Sequence, residues 1–331
     1  PKSKTYKDMP AARAPRDQRL LDKLAATVQH LRDTDTATLD LKIASAALDE
    51  MAEAFEMFAP YRDSPKVTIF GSARTTASDP LYDLTAQVAK KMADNGWMVV
   101  TGAGPGIMEA GMLGAGRENS IGVSIRLPFE TSANPIIEGD DKYVSMRYFF
   151  TRKLMLLKES RAFLCLPGGF GTLDEMFELL TLMQTGKGAL APTVLLDLPG
   201  DPFWEGVSSF IHNELIPRRL VSPADLELFK VTNSVEEAVQ EITGFYSNYH
   251  SLRFVRDVLV VRLQREPSAE QLKILNDEFS HLCTSGTIHS TKALKAEVSD
   301  DDFLLLPRIA LTFGGREFGQ LRKMINLLNT F

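Results

Sequence analysis

The chain has 331 residues, 44% hydrophobic and 24% charged, with a formal net charge of −6. That composition is ordinary for a folded globular protein, and the acidic balance disfavours nucleic acid or an anionic membrane as partner. No stretch approaches 18 uninterrupted apolar residues, and no apolar leader segment opens the sequence, so a cytoplasmic protein is expected.

Residues 1–16 are rich in Lys, Arg and Pro and read as a loose arm. Helices are expected over about Gln18–Asp33 and Thr36–Phe58, the second with Leu39, Ile43, Ala46, Ala47 and Met51 at helical spacing. Pro60 and Pro65 then break the pattern and separate 1–65 from the rest of the chain. From Lys66 short apolar runs alternate with amphipathic helices. The strands are Val67–Phe70, Met98–Thr101, Gly122–Ile125, Phe163–Leu166, Val194–Leu196 and a weaker Phe229–Thr232. The helices are about Leu81–Asn95, Ile107–Gly116, Met146–Ser160, Leu173–Thr185, Phe203–Leu215 and Val235–Tyr246. This alternation predicts an α/β domain over 66–248, a doubly wound, Rossmann-like parallel sheet. After Tyr249 the rhythm becomes β-α-β-β-α, so 249–331 reads as a small α+β module with an oligomerisation or packing role. Cys165 and Cys283 both lie in apolar settings, and free thiols are the expected state.

In a doubly wound sheet, ligands bind beyond the carboxyl ends of the strands. Three loops fall there: Gly71-Ser72-Ala73-Arg74, Gly102-Ala103-Gly104-Pro105-Gly106 and Pro167–Thr172. The second has glycines spaced G-x-G-x-G, not the dinucleotide G-x-G-x-x-G, and the following strand ends in Arg126 where a ribose-binding acid would stand. NAD is therefore disfavoured, and the absence of G-K-[ST] after either loop excludes a P-loop. Two glycine loops on one sheet suit a mononucleotide or another phosphorylated sugar.

The third loop carries most information. A buried strand stops at Pro167-Gly168-Gly169-Phe170-Gly171 and a helix follows, which makes an anion site of unpartnered N–H groups. Leu173, Met176, Phe177 and Leu180 form the face expected against the sheet, leaving Glu175 opposite and free of the core. An acid beside a phosphate cradle is useful if positive charge develops on the substrate, as in N-glycosidic cleavage. Arg152 and Lys153 lie on the preceding helix, and consecutive elements tend to be neighbours, so Arg152 can face the Pro167 turn.

Arg152-Lys153 followed by Pro167-Gly168-Gly169-Phe170-Gly171-Thr172-Leu173-Asp174-Glu175 resembles the signature of the LONELY GUY family, cytokinin-activating phosphoribohydrolases with a PGGxGTxxE motif and an upstream Arg-Lys pair. The resemblance spans about Lys66 to Tyr246, and the flanking segments are similar to those of larger bacterial members. Proteins of this kind have been labelled lysine decarboxylases, but nothing in the chain points to a pyridoxal phosphate lysine, and no cofactor or metal is expected. The resemblance implies hydrolysis of a nucleoside 5′-monophosphate to free base and ribose 5-phosphate, with Glu175 and Arg152 catalytic. It further implies that Gly168, Gly169, Gly171 and Thr172 hold phosphate, with Gly71, Ser72, Gly104 and Gly106 in the companion loops, and that Glu130, Lys153 and Thr181 line the nucleotide pocket. A homodimer, or an assembly of dimers, with the site near the interface is also implied. Compact members carry Met one turn after the Arg, where this chain has Leu156 beside Met155, so the base is left open among AMP, cytokinin riboside monophosphates and other nucleotides. The competing reading is a carrier that binds a nucleotide or molybdopterin phosphate without hydrolysis. A phosphate-responsive regulator is a third, with no residues in the C-terminal module to support it.

Overall fold

The computed structural model describes residues 15–127 and 133–331. Two compact units are distinguished, the first ending at Ala52 and the second running from Glu53 to Phe331. The first holds α1 (Pro15–Asp33) and most of α2 (Thr38–Phe58).

The second unit is built on a seven-stranded, wholly parallel sheet. Its elements are β1 (Lys66–Phe70), α3 (Pro80–Asp94), β2 (Met98–Thr101), α4 (Ile107–Ala115), β3 (Ser120–Ile125), β4 (Tyr143–Met146), α5 (Phe149–Lys158), β5 (Ala162–Cys165), α6 (Phe170–Gln184), β6 (Thr193–Leu196), α7 (Phe203–Phe210), β7 (Lys230–Thr232) and α8 (Val235–Gly244). Strand order is β4-β3-β2-β1-β5-β6-β7, so the winding reverses between β1 and β5. The expected doubly wound sheet is borne out. Its central strands are buried on both faces, which is why they read as continuous apolar runs. Val67, Ile69, Val99, Leu164 and Val194 form the middle of the core with Val88 and Met92 of α3. Asp79 caps α3 by accepting from the Leu81 amide at 2.9 Å, with Pro80 at the first helical position.

Two elements differ from the sequence reading. Tyr143–Met146 is an edge strand, with alternate residues buried, and the following helix starts at Phe149 and not at Met146. Four residues of half-buried strand running straight into a helix leave too little periodicity to separate the two. The expected Phe203–Leu215 helix ends its α portion at Phe210 and continues as one wider π turn over Ile211–Leu215.

Residues beyond Asn248 form a four-stranded antiparallel sheet, ordered β10-β11-β9-β8. It comprises β8 (Tyr249–Val255), β9 (Val258–Leu263), α9 (Ala269–Phe279), β10 (Cys283–Ser290), α10 (Lys295–Ser299), β11 (Arg308–Phe313) and α11 (Phe318–Leu328). The sequence reading has neither β8 nor α10. Ser268 and Gln271 cap α9 reciprocally. Contacts tie this sheet's helix to the parallel one: Arg322 on α11 donates to the Ala191 carbonyl at 3.3 Å and pairs with Glu241 on α8. Among the described residues no helix is long and apolar enough to cross a membrane. Cys165 and Cys283 are free thiols.

Candidate active site

The three loops at the carboxyl ends of β1, β2 and β5 interlock. The Ser72 amide donates to the Pro167 carbonyl at 3.2 Å, and the Ser72 carbonyl accepts from the Ile107 amide at 3.0 Å. Gly106 has φ +70, and a Cβ there would lie 2.4 Å from the Ser72 carbonyl oxygen, so glycine is required on both counts. A Cβ on Gly168 would meet Thr172 Oγ1 at 2.2 Å. Asn134 braces the middle loop, its amide donating to the Ala103 carbonyl at 2.9 Å and Nδ2 to the Gly104 carbonyl at 3.1 Å.

The helix α6 begins at Phe170, three residues earlier than the sequence predicts, with Gly169 as an N-cap that no side chain satisfies. The amides of 169–172 are therefore first-turn donors without helical partners, aimed with the positive end of the dipole at the switch point of the sheet. This is the arrangement of unpartnered amides expected of the motif. A cavity of about 1180 Å³ opens over it, reaching from the Gly169–Thr172 turn across to β3 and β4.

Glu175 is placed differently from the expectation. The face of α6 that packs inward is Thr172, Glu175, Met176, Leu179 and Met183, and Phe177 is exposed. The buried stripe is turned by about one residue, roughly 100°, from the expected face. Glu175 is thus only 7% exposed and still lines the cavity. Its Oε2 is buried without a hydrogen-bond partner among the described residues. Burial pushes the carboxyl up to about 7, with Lys153 and Arg152 pulling it back and Asp174 and Glu178 adding to the rise. A carboxylate held near neutrality in a cleft is suited to exchanging a proton with a substrate or water.

Arg152 comes from α5 and lies over β3, where its Nε donates to the Val123 carbonyl at 3.0 Å. Gly71, Ser72, Gly104, Arg152, Gly169, Gly171, Thr172 and Glu175 all line the one cavity. Gly106 and Gly168 do not line it; they let the loops close together. Lys153 also lies off the wall. It bonds Asp174 at 2.6 Å and Glu178 at 2.5 Å, and its Nζ is 3.9 Å from Glu175 Oε2. Burial opposes its charge, but the bonds to Asp174 and Glu178 hold its pKa above the ordinary value. Thr181 is not brought to the cavity. It is exposed, donates to the Phe177 carbonyl at 2.7 Å and borders a separate hollow of about 90 Å³ with Gln184 and Asp225. Six residues beyond Glu175, it sits about 9 Å further along the helix and on another face. Glu130 lies outside the described residues.

Gly102 and Arg74, in loops expected at the ligand end of the sheet but not singled out there, also line the cavity, as does Tyr143, which was not expected; Arg126 entered only as the place of a missing acid. Gly102 was legible as the residue just after β2; Tyr143 was hidden with its unread strand.

Residues 105–242 match a family described as possible lysine decarboxylase. A cytokinin riboside 5′-monophosphate phosphoribohydrolase of Mycobacterium tuberculosis is 29% identical over 178 residues, 53% of this chain and 91% of the relative. A probable enzyme of the same name from rice, Oryza sativa subsp. japonica, is 24% identical over 242 residues, 71% of this chain and 88% of the relative. Among solved structures, a molybdenum cofactor binding protein from Rippkaea orientalis aligns over 54% of this chain and 94% of its own, at 18% identity and a TM-score of 0.37, a likeness too slight to bear on function. The resemblance carried by the motif is thereby borne out over residues 105–242.

Proposed function

We propose that this chain, similar over its α/β domain to cytokinin riboside 5′-monophosphate phosphoribohydrolases, is a phosphoribohydrolase that splits a nucleoside 5′-monophosphate into free base and ribose 5-phosphate. The observation that carries the reading is the Glu175 carboxylate, buried, without a hydrogen bond to Oε2, and opening on the same cavity as Arg152 and the first turn of α6. The amides of 169–172 receive the 5′-phosphate. That places the ribose over Glu175 and Arg152. The C1′–N bond breaks with its electron pair leaving on the base, and an oxocarbenium-like sugar forms. Ionised Glu175 stabilises that cation and takes a proton from the attacking water, whose oxygen bonds to C1′. Arg152 donates hydrogen bonds to ribose or to the departing base, which takes its nitrogen proton from solvent while Glu175 returns the water's proton to solvent. No cofactor is needed for any step.

The experiment is direct. The purified protein is incubated with AMP, CMP, GMP and isopentenyladenosine monophosphate, and free base and ribose 5-phosphate are followed by chromatography. Cleavage of at least one is expected. Failure to cleave any while AMP still binds would replace the enzyme with a carrier.

A further inference from the structure

The proposed reaction uses the cavity from α6 to Arg152 and leaves its far end without a task. Strand order fixes what that end faces. From the β1/β5 crevice, where the phosphate cradle lies, to β3 is two and a half strand spacings, about 12 Å. Arg152 lies between the two, its Nη2 over Gly102 after β2 and its Nε donating to the Val123 carbonyl on β3. A nucleotide with its phosphate on the cradle and its glycosidic bond at Arg152 therefore lays its base toward the ends of β3 and β4.

Among the described residues the polar side chains there are Ser124, Arg126, Tyr143 and Ser145, of which Arg126 is the one cation. Arg126 is an exposed residue fixed to β4 by its own backbone, the amide donating to the Met146 carbonyl at 2.7 Å. Its guanidinium gives one N–H to the Ser145 carbonyl at 3.0 Å and, like every arginine, carries only donors. Ser124 Oγ and Tyr143 OH share a hydrogen bond of 2.8 Å, so one of the two hydroxyl protons is left to donate. Among the described lining residues the carboxylates are Asp174 and Glu175, both on α6 at the other end. Phe149 adds a ring at the mouth, three residues before Arg152 and on the same helix face.

Resting on the proposed hydrolase reading, the geometry points to Arg126, with the Ser124–Tyr143 pair, as the group that reads the base, and to 6-oxopurine nucleotides as the preferred substrates over adenine nucleotides. Guanine and hypoxanthine present O6 and N7 as adjacent acceptors that match the guanidinium fork. Adenine places an amino donor beside N7, which sets donor against donor. A guanidinium fork that donates at two adjacent points is matched by O6 and N7 and disfavours a base that sets an amino group beside N7.

The test compares kcat/KM for GMP, IMP and AMP in the wild type, Arg126→Ala and Arg126→Lys. The wild type is expected to favour GMP and IMP over AMP by tenfold or more. Arg126→Ala should lose on the order of ten- to a hundredfold with the oxopurines and less with AMP, collapsing the ratio. Arg126→Lys, with charge but no fork, should fall between. Equal wild-type rates for GMP and AMP, or an equal loss on all three nucleotides, would overturn the assignment. If no nucleotide is cleaved, the hydrolase reading fails on its own. Equilibrium dialysis then decides the base reading: tighter GMP than AMP binding, lost in Arg126→Ala, supports it, and equal binding overturns it.

Discussion

A Cβ on Gly102 would lie 1.9 Å from Nη2 of Arg152 and 2.7 Å from Met108 Sδ. The arginine occupies the space that any side chain at the end of β2 would need, so the bare glycine is part of how Arg152 reaches the cavity. Gly102→Ala should displace the guanidinium while leaving the sheet intact. A misplacement of about 1 Å can lower turnover on the order of 10²-fold. Steady-state kinetics beside a thermal melt checks this: a large fall in kcat with the melting temperature little moved is expected, and wild-type kcat in the variant would contradict it.

Glu175 ties activity and stability to the same titration. Its pKa is raised from an ordinary 4.5 to about 7 in the folded state. The unfolded chain therefore releases this proton first, and ionisation opposes folding. The stability is fully present below pH 4.5 and is lost as pH rises through 7, by roughly 3 kcal/mol at most. Glu175→Gln should thus melt several degrees above the wild type at pH 8 and close to it at pH 4. Because the proposed role needs the carboxylate, wild-type kcat/KM should fall about tenfold per unit below pH 7. Glu175→Ala and Glu175→Gln should both lack turnover while still binding nucleotide. A flat wild-type profile from pH 5 to 8 would remove Glu175 from the chemistry.

Lys153 acts on that titration from outside the cavity. At 3.9 Å from Glu175 Oε2, it favours the carboxylate, held in place by Asp174 and Glu178. Lys153→Met should move the acidic limb of the kcat/KM profile to higher pH, so that activity drops near neutrality and recovers in alkaline buffer. Lys153→Arg should restore the limb. An unshifted limb with a raised KM alone would instead make Lys153 a substrate ligand.

How much of this was legible in the sequence depended on how local the signal was. The glycine turn and Arg152 were readable because their chemistry follows from residue type at fixed offsets: unpaired amides after a strand, and a cation one helix earlier. The burial of Glu175 was not. A wheel over Leu173, Met176, Phe177 and Leu180 gave a plausible face, but the sheet chose the neighbouring one, with Leu179 and Met183 inward and Phe177 outward. Rotation of a helix about its axis is set by what it packs on, and two overlapping apolar stripes on one helix cannot be ranked locally. Tyr143 was hidden for a different reason, its four-residue strand being too short to show a period of its own, and with it went the far wall of the cavity.

The apolar rim bears on assembly. Phe149, Phe150, Leu154 and Phe170 on α5 and α6 are 58%, 55%, 45% and 93% exposed. Side chains of this size are seldom left clustered in water beside a cleft. The homodimer implied by the family resemblance would cover them. Leu154→Glu and Phe150→Glu, neither on the cavity wall, should each shift the mass read by light scattering from dimer to monomer. A wild type that is monomeric at all concentrations would sink the idea.

The C-terminal module carries its own charge at its centre. Glu297 is fully buried and accepts from Arg262 Nε at 3.0 Å and Nη2 at 2.8 Å, from Arg308 Nη1 at 2.7 Å, and through Oε2 from the Leu294 amide at 3.0 Å. Both guanidiniums are themselves buried. Replacing a triad with apolar groups can be harmless, but removing one member strands the others. Glu297→Ala should cost about 3–5 kcal/mol, which for a chain of this size lowers the melting temperature on the order of 10 °C. Burial favours the neutral acid, yet the Leu294 amide and the two arginines hold the pKa below its ordinary 4.5. The stabilisation is therefore present above pH 4.5 and lost as pH falls through the depressed value. The gap between wild type and Glu297→Ala should be widest at neutral pH and close as the buffer is acidified below 4.5. A gap independent of pH would mean that packing at this position, and not the charge, holds the module together.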